Sequence, residues 1–181
     1  MLKGMTRLNG APDLRLPVTI EMMRKFPVAL SHVCSSYYES LLFFTAFSLA
    51  FSALLRVGEI TCSNKYDINK VIQEADICLG QCDQSCKIKL RYSKTDQLGR
   101  SCVIVIKPII LSFKSKTNYK ETICFSFTFI SKIYGLQHTK LNTHSFRIGG
   151  ATHLAKTGCS DAEIQCKGRW LSNSYQRYIR L

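Results

Sequence analysis

The chain has 181 residues, of which 46% are hydrophobic and 20% are charged, so it can bury the core of one domain. Lysine and arginine number 25 against 12 aspartates and glutamates, which gives a formal net charge of +13. This excess favours a polyanion, nucleic acid first and an anionic membrane second, although a solvated basic surface would give the same count. Because the basic residues are spread along the chain, the pattern argues against a disordered basic tail.

The first half of the chain predicts two helices. After an extended lead-in at 13–17, Thr19 is expected to cap a short helix from Ile20 to Phe26 that ends near Pro27. A long apolar helix follows from about Ser36 to Arg56 and continues through residues 57–60. Its apolar run, 41–55, has 15 residues, fewer than the roughly 20 of a membrane span. We therefore predict a helix buried at the centre of a domain.

A small sheet is predicted in the middle of the chain. Residues 86–93 and 101–106 are rich in β-forming residues, and the polar connection 94–100 contains one glycine. This arrangement is typical of a β-hairpin, and residues 75–79 are a candidate third strand.

Helical patterns return in the second half, around 119–133 and 143–157. Gly158 is expected to end the second of these helices, and Ser160 with Glu163 forms a capping box that opens another. The predicted fold class is a mainly helical α+β domain with one small antiparallel sheet.

Nine cysteines raise the question of disulfides or zinc. Their odd number, and the lack of a signal-peptide pattern in residues 1–10, argue against a disulfide framework. Cys78, Cys82 and Cys86 are spaced by four, with no CxxC pair or nearby histidine, which disfavours zinc. We expect reduced thiols in an intracellular compartment, no metal and no cofactor.

The segment 144–180 carries the chemistry. His144 and Arg147, three residues apart on a helix, project from one face and can hold one anionic group together. Gly168-Arg169-Trp170 and the late Tyr178 follow. A tyrosine hydroxyl can attack phosphorus if its proton is removed and the phosphoryl charge is stabilised. The segment therefore predicts a site that handles a phosphodiester.

The same segment, HSFRIGGATHLAKTGCSDAEIQCKGRWLSNSYQRYIR, resembles the C-terminal signature of tyrosine recombinases, the phage-integrase family. Its GRW and YIR variants are similar to those of eukaryotic mobile-element recombinases of the Crypton and DIRS types. Upstream, SALLRVGEI at 52–60 resembles the family's first arginine box, and SKTD at 93–96 resembles the site of its catalytic lysine. LKGMTRLNG and RLPVTIEMMRKF near the start resemble the lead-in to the catalytic domain. The likeness covers nearly all of the chain.

The resemblance implies a tyrosine recombinase catalytic core that cleaves and rejoins DNA in site-specific recombination or integration, without a metal or nucleotide. It implies six catalytic residues and one supporting residue: Arg56, Lys94, His144, Arg147, Trp170 and Tyr178, with Glu59 in support.

Four of these residues would act on the phosphate and on protons. Arg56 and Arg147 would clamp the scissile phosphate, a task suited to bidentate guanidinium groups. Lys94, in the hairpin connection, would protonate the departing 5′ oxygen, and His144 would assist proton transfer to and from the tyrosine.

Trp170 takes the position of a second histidine in many relatives, and its indole N–H can still donate to a phosphate oxygen. Tyr178 would attack and form a 3′-phosphotyrosine link. Tyr175 competes as the nucleophile, but the family's tyrosine lies eight or nine residues past the His/Trp position. Here 178 − 170 = 8 and 175 − 170 = 5, which favours Tyr178.

Each residue alone also has a purely structural interpretation. Arg56 could be the C-terminal residue of the long helix, favoured by the helix dipole, and Lys94 could lie in an ordinary polar turn. His144 could satisfy only local backbone groups, and Arg147 could pair with an acid. Trp170 and Tyr178 could be packing residues. None of these interpretations predicts all six residues together.

We expect residues 1–181 to form a single catalytic domain, with its core at about 13–181 and without an N-terminal core-binding domain. The expected partner is double-stranded DNA, bound by a homotetramer on two duplexes in a nuclear location, with activity impaired by truncation. The alternative hypothesis is a non-catalytic DNA-binding module derived from a mobile-element recombinase.

Overall fold

The computed structural model describes residues 15–60, 69–80, 85–93, 101–106 and 141–181. Five α-helices, three strands and two 3₁₀ segments follow one another in these ranges. They are α1 (Ile20–Val33), α2 (Tyr37–Ser52), α3 (Val57–Ile60), a 3₁₀ turn (Glu74–Asp76), β1 (Ile77–Leu79), β2 (Cys86–Leu90), β3 (Cys102–Ile106), α4 (Thr143–Lys156), α5 (Asp161–Gly168) and a C-terminal 3₁₀ helix (Asn173–Tyr178). The mainly helical α+β class predicted from the sequence is confirmed.

Helix α1 begins as predicted but does not end at Pro27. The Thr19 hydroxyl accepts a backbone N–H hydrogen bond at 3.2 Å and caps the helix. Pro27 lies inside α1, although a prolyl ring in a helix interior costs about 3 kcal/mol. Phe26 and Leu30, one turn apart, are both buried in the main core. Burial of Leu30, at about 1.5–3 kcal/mol for a leucine side chain, offsets most of the proline's cost.

Helix α2 is buried on nearly every side, as its composition predicted. The predicted end near Arg56 was wrong, because α2 ends at Ser52 and Leu54 adopts a left-handed φ of 50°. The Arg56 carbonyl instead accepts the backbone N–H of Glu59 at the start of α3. The interpretation of Arg56 as the C-terminal residue of the long helix is therefore also wrong. Within the described ranges, no helix combines the length and apolarity needed to cross a membrane.

The three strands form one antiparallel sheet in the order β1-β2-β3, so the hairpin and the third strand are confirmed. Ile88 pairs with Ile77 on one side and with Ile104 on the other. Buried residues alternate with exposed ones along β2, which places one face of the sheet on the core. The hairpin connection 94–100 and the predicted helix 119–133 lie outside the described residues.

The end of α4 and the start of α5 lie where the sequence predicted them. Gly158, at φ 84°, comes directly after the end of α4. The Ser160 hydroxyl accepts the Glu163 backbone N–H at 3.3 Å, and the Glu163 carboxylate accepts the Ser160 backbone N–H at 2.8 Å. The capping box at the start of α5 is therefore confirmed.

Two apolar clusters hold these elements together. In the main core, the rings of Phe26, Phe47 and Phe146 pack with centroids 4.9–6.0 Å apart and join α1, α2 and α4. A Cβ atom on Gly150 would lie 2.1 Å from the Phe51 carbonyl oxygen, so only glycine permits this approach of α4 to the end of α2. The approach brings Leu54 against α4.

The second cluster lies between α4, α5 and the C-terminal 3₁₀ helix. Its buried members are Leu54, Ala151, Leu154, Ile164, Trp170 and Tyr175. Tyr178 and Ile179 pack at its margin. This cluster supports the side chains of the candidate site.

Candidate active site

Four of the predicted site residues lie together at the margin of the second cluster. His144 and Arg147 come from the first turns of α4, Trp170 follows α5, and Tyr178 ends the 3₁₀ helix. The Tyr178 hydroxyl oxygen and His144 Nε2 are 3.2 Å apart. In the tautomer that leaves Nε2 unprotonated, the tyrosine donates this hydrogen bond and the imidazole accepts it.

Arg147 forms the centre of this group. It is only 1% exposed, and its two terminal nitrogens donate to the backbone carbonyls of Leu54 and Gly168. The guanidinium carbon lies 4.3 Å from the centroid of the Trp170 ring and 5.5 Å from that of Tyr178. Contact with these ring faces favours the cation electrostatically and fixes the plane of the guanidinium group.

Among the described side chains, no acid forms an ion pair with Arg147, although the charge of Glu59 favours its protonated form. Within the described part of the chain the hydrogen bonds of Arg147 go to carbonyls rather than to an acid, and Nε has no partner. Burial lowers the pKa of Arg147 to about 9, with further contributions from the positive charges of Arg56 and Arg169. The group stays protonated at neutral pH. A buried cation of this kind is stabilised when an anion approaches it.

Glu59 joins two further arginines to the group. Its carboxylate is 4% exposed and accepts from Arg56 Nη1 at 3.2 Å and from Arg169 Nη2 at 2.8 Å. The same carboxylate accepts the backbone N–H of Arg56 at 2.8 Å. The Arg56 side chain is 22% exposed against 11% for Arg169, so Arg56 is the more accessible of this pair.

Arg169 was missed as a site residue by the sequence reasoning. It has a left-handed φ of 56° at the end of α5, and its guanidinium also donates to the carbonyls of Ala53 and Leu54 at 3.4 and 3.3 Å. Burial lowers the pKa of Arg169, while Glu59 opposes that shift. In the sequence, the only feature that could have pointed to Arg169 as a site residue was its position between Gly168 and Trp170. Nothing in the sequence indicated a contact with a glutamate 110 residues away.

Gly168 permits the Trp170 ring to fold back over the end of α5. A Cβ atom on Gly168 would lie 1.7 Å from one carbon of the indole ring. The Gly168 carbonyl accepts from Arg147, and Trp170 is 8% exposed. The indole thus packs between the helix end, the Arg147 guanidinium and the Tyr178 ring, whose centroid is 4.9 Å away.

The two candidate tyrosines differ in their surroundings. Tyr175 is buried and donates to an Asp161 carboxylate oxygen at 2.9 Å. This hydrogen bond, with burial and the negative charge of Asp161, raises the pKa of Tyr175. Tyr178 is half-buried beside His144 and Arg147, so the environment suited to a nucleophile is that of Tyr178.

Thr152 anchors the segment that carries Tyr178 and was also missed. Its hydroxyl donates to the Tyr178 carbonyl at 3.2 Å and accepts the Arg180 backbone N–H at 3.0 Å. A threonine in the middle of a helix gives no sequence signal for such a role.

Lys94 lies outside the described residues, and so does Cys82 of the cysteine trio. In the described ranges, no three histidine, cysteine, aspartate or glutamate side chains are placed to hold a metal ion.

The arrangement combines a surplus of positive charge with a hydroxyl and an imidazole. Among the described side chains, the guanidinium groups of Arg56, Arg147 and Arg169 and the carboxylate of Glu59 sum to two positive charges. A tyrosine hydroxyl lies beside a possible proton acceptor at the edge of this charge. The site can therefore hold an anion and present an oxygen nucleophile to it.

Solved structures resemble this fold. The XerH site-specific recombinase bound to difH substrate, in a pre-cleavage complex, aligns with a TM-score of 0.62 at 12% identity, over 93% of this chain and 51% of that one. Its post-cleavage complex with a palindromic difH substrate gives 0.61 at 13%, over 91% and 49%. The XerA recombinase gives 0.59 at 19%, over 94% and 62%.

The chain thus spans about half to three fifths of these recombinases. No family model matches the sequence, and no curated protein is significantly similar to it. The likeness establishes that this chain has the fold of a tyrosine recombinase catalytic domain.

Proposed function

We propose that this chain is the catalytic domain of a tyrosine recombinase, which cleaves and rejoins DNA strands through a 3′-phosphotyrosine intermediate. The observation that carries the proposal is the position of the Tyr178 hydroxyl, 3.2 Å from His144 Nε2 and beside the buried Arg147, whose hydrogen bonds within the described ranges go to carbonyls. A metal-free phosphoryl transfer needs a nucleophile, a proton acceptor and fixed positive charge, and this site contains all three.

In the cleavage step, the Tyr178 oxygen forms a bond to the scissile phosphorus while His144 takes the hydroxyl proton. The bond from phosphorus to the 5′ oxygen breaks, and that oxygen leaves as a hydroxyl after receiving a proton from Lys94. Arg56 and Arg147 hold the non-bridging oxygens, whose negative charge increases in the transition state. Trp170 keeps the Tyr178 ring in place and offers its N–H to the phosphate.

Rejoining runs the same steps in reverse with the 5′ hydroxyl of another strand. The tyrosyl ester retains the phosphodiester bond's energy, so neither a nucleotide nor a metal is required. Under this proposal Glu59 supports Arg56. The partner is double-stranded DNA, and binding should weaken steeply with salt because phosphate contacts release counterions. The resemblance further suggests a mobile element of the Crypton or DIRS type, a nuclear location and a tetramer on two duplexes.

Three kinds of support converge on the proposal. The sequence resemblance supplied the residues, the fold is that of the recombinases named above, and the described side chains lie close enough to cooperate. XerH is a site-specific recombinase observed with its DNA substrate before and after cleavage, which supports a DNA substrate for this chain.

The test is a nicked suicide duplex built from the DNA that flanks the encoding gene. Cleavage near the nick releases a short strand, so the covalent protein–DNA adduct is trapped and seen as a shifted band under denaturing conditions. We expect an adduct with the wild type and with Tyr175→Phe, and none with Tyr178→Phe. A wild type that binds the duplex but forms no adduct would favour the non-catalytic DNA-binding module instead.

A further inference from the structure

Arg169 donates hydrogen bonds to two oxygen-bearing groups, one of which is also bound by Arg56 and the other by Arg147. It shares the Glu59 carboxylate with Arg56, at 2.8 and 3.2 Å from its two oxygens. It also shares the Leu54 carbonyl with Arg147. Among the described side chains, Arg169 is the one that links the acceptors of both phosphate-clamp candidates.

Arg169 has a left-handed backbone conformation, which is unusual for a residue with a side chain. A non-glycine residue at a left-handed φ costs roughly 1 kcal/mol, and helix ends of this kind usually carry glycine. Here an arginine takes that backbone at φ 56° and directs its guanidinium to Glu59 and the end of α2. Its planar fork reaches several acceptors at once, which the ammonium of a lysine could not do with the same geometry.

Arg169 is poorly placed to bind DNA itself. Of the two arginines that share Glu59, Arg169 is the less exposed, at 11% against 22% for Arg56, and it makes the shorter ion pair, at 2.8 against 3.2 Å. Arg147 is buried too, but its hydrogen bonds within the described ranges go to carbonyls, whereas the charge of Arg169 already faces a carboxylate. Arg56 and Arg147 come from chain segments more than 90 residues apart. Their guanidinium groups carry like charges and repel each other, so some group must hold them together.

We propose that Arg169 is a positioning residue, which fixes the separation of Arg56 and Arg147 through the shared Glu59 carboxylate and Leu54 carbonyl. The consequence for chemistry rests on the proposed function. Once Arg169 is removed, the Glu59 carboxylate loses the ion pair that fixes its orientation. The carboxylate can then turn, so the Arg56 guanidinium is held less firmly and its distance from Arg147 is no longer fixed. Misplacement of a catalytic group by about 1 Å can lower a rate by about 100-fold.

Three measurements test this. Single-turnover adduct formation on the suicide duplex, with protein in excess, gives the rate of chemistry, and a separate titration gives the DNA affinity. NMR of the DNA-free protein measures the rate at which the Arg56 guanidinium rotates about its Nε–Cζ bond. This rate shows how firmly Arg56 is held and does not require an active protein. The variants are Arg169→Gln and Arg169→Gly, and the matched control is Arg177→Gln on the exposed face of the 3₁₀ helix. Arg169→Gly suits the left-handed backbone, so it retains the fold if glutamine does not.

We expect both Arg169 variants to slow adduct formation by about 100-fold, with DNA affinity changed by less than about threefold. The Arg56 guanidinium should rotate about tenfold faster than in the wild type, the change expected when a restraint of about one net hydrogen bond is lost. Arg177→Gln should show the wild-type rate of adduct formation and the wild-type rate of Arg56 rotation. Unchanged rotation of Arg56 in the Arg169 variants would overturn the positioning role, as would a wild-type rate of cleavage. A loss of affinity equal to the loss of rate, with a salt slope smaller by about one, would show instead that Arg169 binds a phosphate.

Failure of the proposed function gives a different result. If the wild-type protein forms no adduct, the recombinase proposal fails, and the rotation measurement still decides whether Arg169 restrains Arg56.

Discussion

Replacing Gly168 by alanine places a methyl group where the Trp170 ring now lies. The new Cβ atom would be 1.7, 2.0 and 2.4 Å from three carbons of the indole's six-membered ring. Ordinary contacts between carbon atoms are about 3.5–4.0 Å, so the ring must move by well over 1 Å. It cannot do so freely, because Arg147 and Tyr178 pack on it at 4.3 and 4.9 Å.

The expected cost to folding has two parts. Overpacking of a tight site costs about 1–3 kcal/mol, and loss of the Arg147–Trp170 contact costs about 1–2 kcal/mol because that cation is desolvated. We therefore expect the free energy of unfolding to fall by about 2–5 kcal/mol. Adduct formation should fall by about 100-fold, since the Tyr178 ring moves with the indole.

Urea unfolding measures the free energy of unfolding, provided that its dependence on urea concentration is the same in the variant and the wild type. The suicide duplex measures adduct formation. The matched control is Gly58→Ala, because a Cβ atom on Gly58 meets nothing within 4 Å. It should leave the adduct yield unchanged and alter stability by less than about 1 kcal/mol. Trp170→Leu removes the ring that clashes, so Gly168→Ala should cost at least about 1 kcal/mol less in that background. Additive costs in the double variant would refute the reasoning.

Three further predictions follow from the described contacts. Thr152→Val removes the hydroxyl that holds the Tyr178 carbonyl and the Arg180 N–H, so it should lower the unfolding free energy by about 1–3 kcal/mol and slow adduct formation. Pro27→Ala should raise the unfolding free energy by about 1–3 kcal/mol, since the proline lies inside α1 and its ring and missing N–H strain the helix. Inorganic phosphate at ten times its dissociation constant should stabilise the protein by about 1.4 kcal/mol, seen as a rise of roughly 3–6 °C in the melting temperature, and Arg56→Gln should remove most of that rise.

Each of these three predictions has a control or an outcome that would contradict it. Among the described residues, the Thr157 hydroxyl donates to carbonyls within the end of α4. Equal losses in Thr152→Val and Thr157→Val would therefore contradict the anchoring role of Thr152. A Pro27→Ala protein less stable than the wild type would show that the proline is favourable where it stands. Chloride at the same ionic strength should not reproduce the phosphate effect, and if it does, the site holds no specific anion.

The fold could be predicted from local signals wherever the signal and the packing agreed. Thr19, Ser160 with Glu163, and Gly158 mark helix ends through hydrogen bonds and φ values that depend on neighbouring residues alone. Two boundaries could not be predicted in this way. Burial of Leu30 carries α1 past Pro27, and the left-handed Leu54 ends α2 early; both depend on contacts with distant parts of the chain.

The residues of the candidate site also differ in whether local sequence could identify them. The i, i+3 spacing of His144 and Arg147 and the late position of Tyr178 could be seen in the sequence, and the resemblance added Arg56, Lys94, Trp170 and Glu59. The roles of Arg169 and Thr152 could not be foreseen, because their partners lie 110 and 26 residues away. Lys94 is outside the described residues and stays a prediction.

The most direct test of the proposed chemistry is to identify the protein–DNA bond. Wild-type adduct from the suicide duplex would be digested with protease and nuclease, and the modified peptide sequenced by mass spectrometry. The account predicts a single nucleotide joined through its 3′ phosphate to Tyr178, together with a free 5′ hydroxyl on the released strand. A link to Tyr175 or to another residue, or a 5′ phosphate on the released strand, would contradict it.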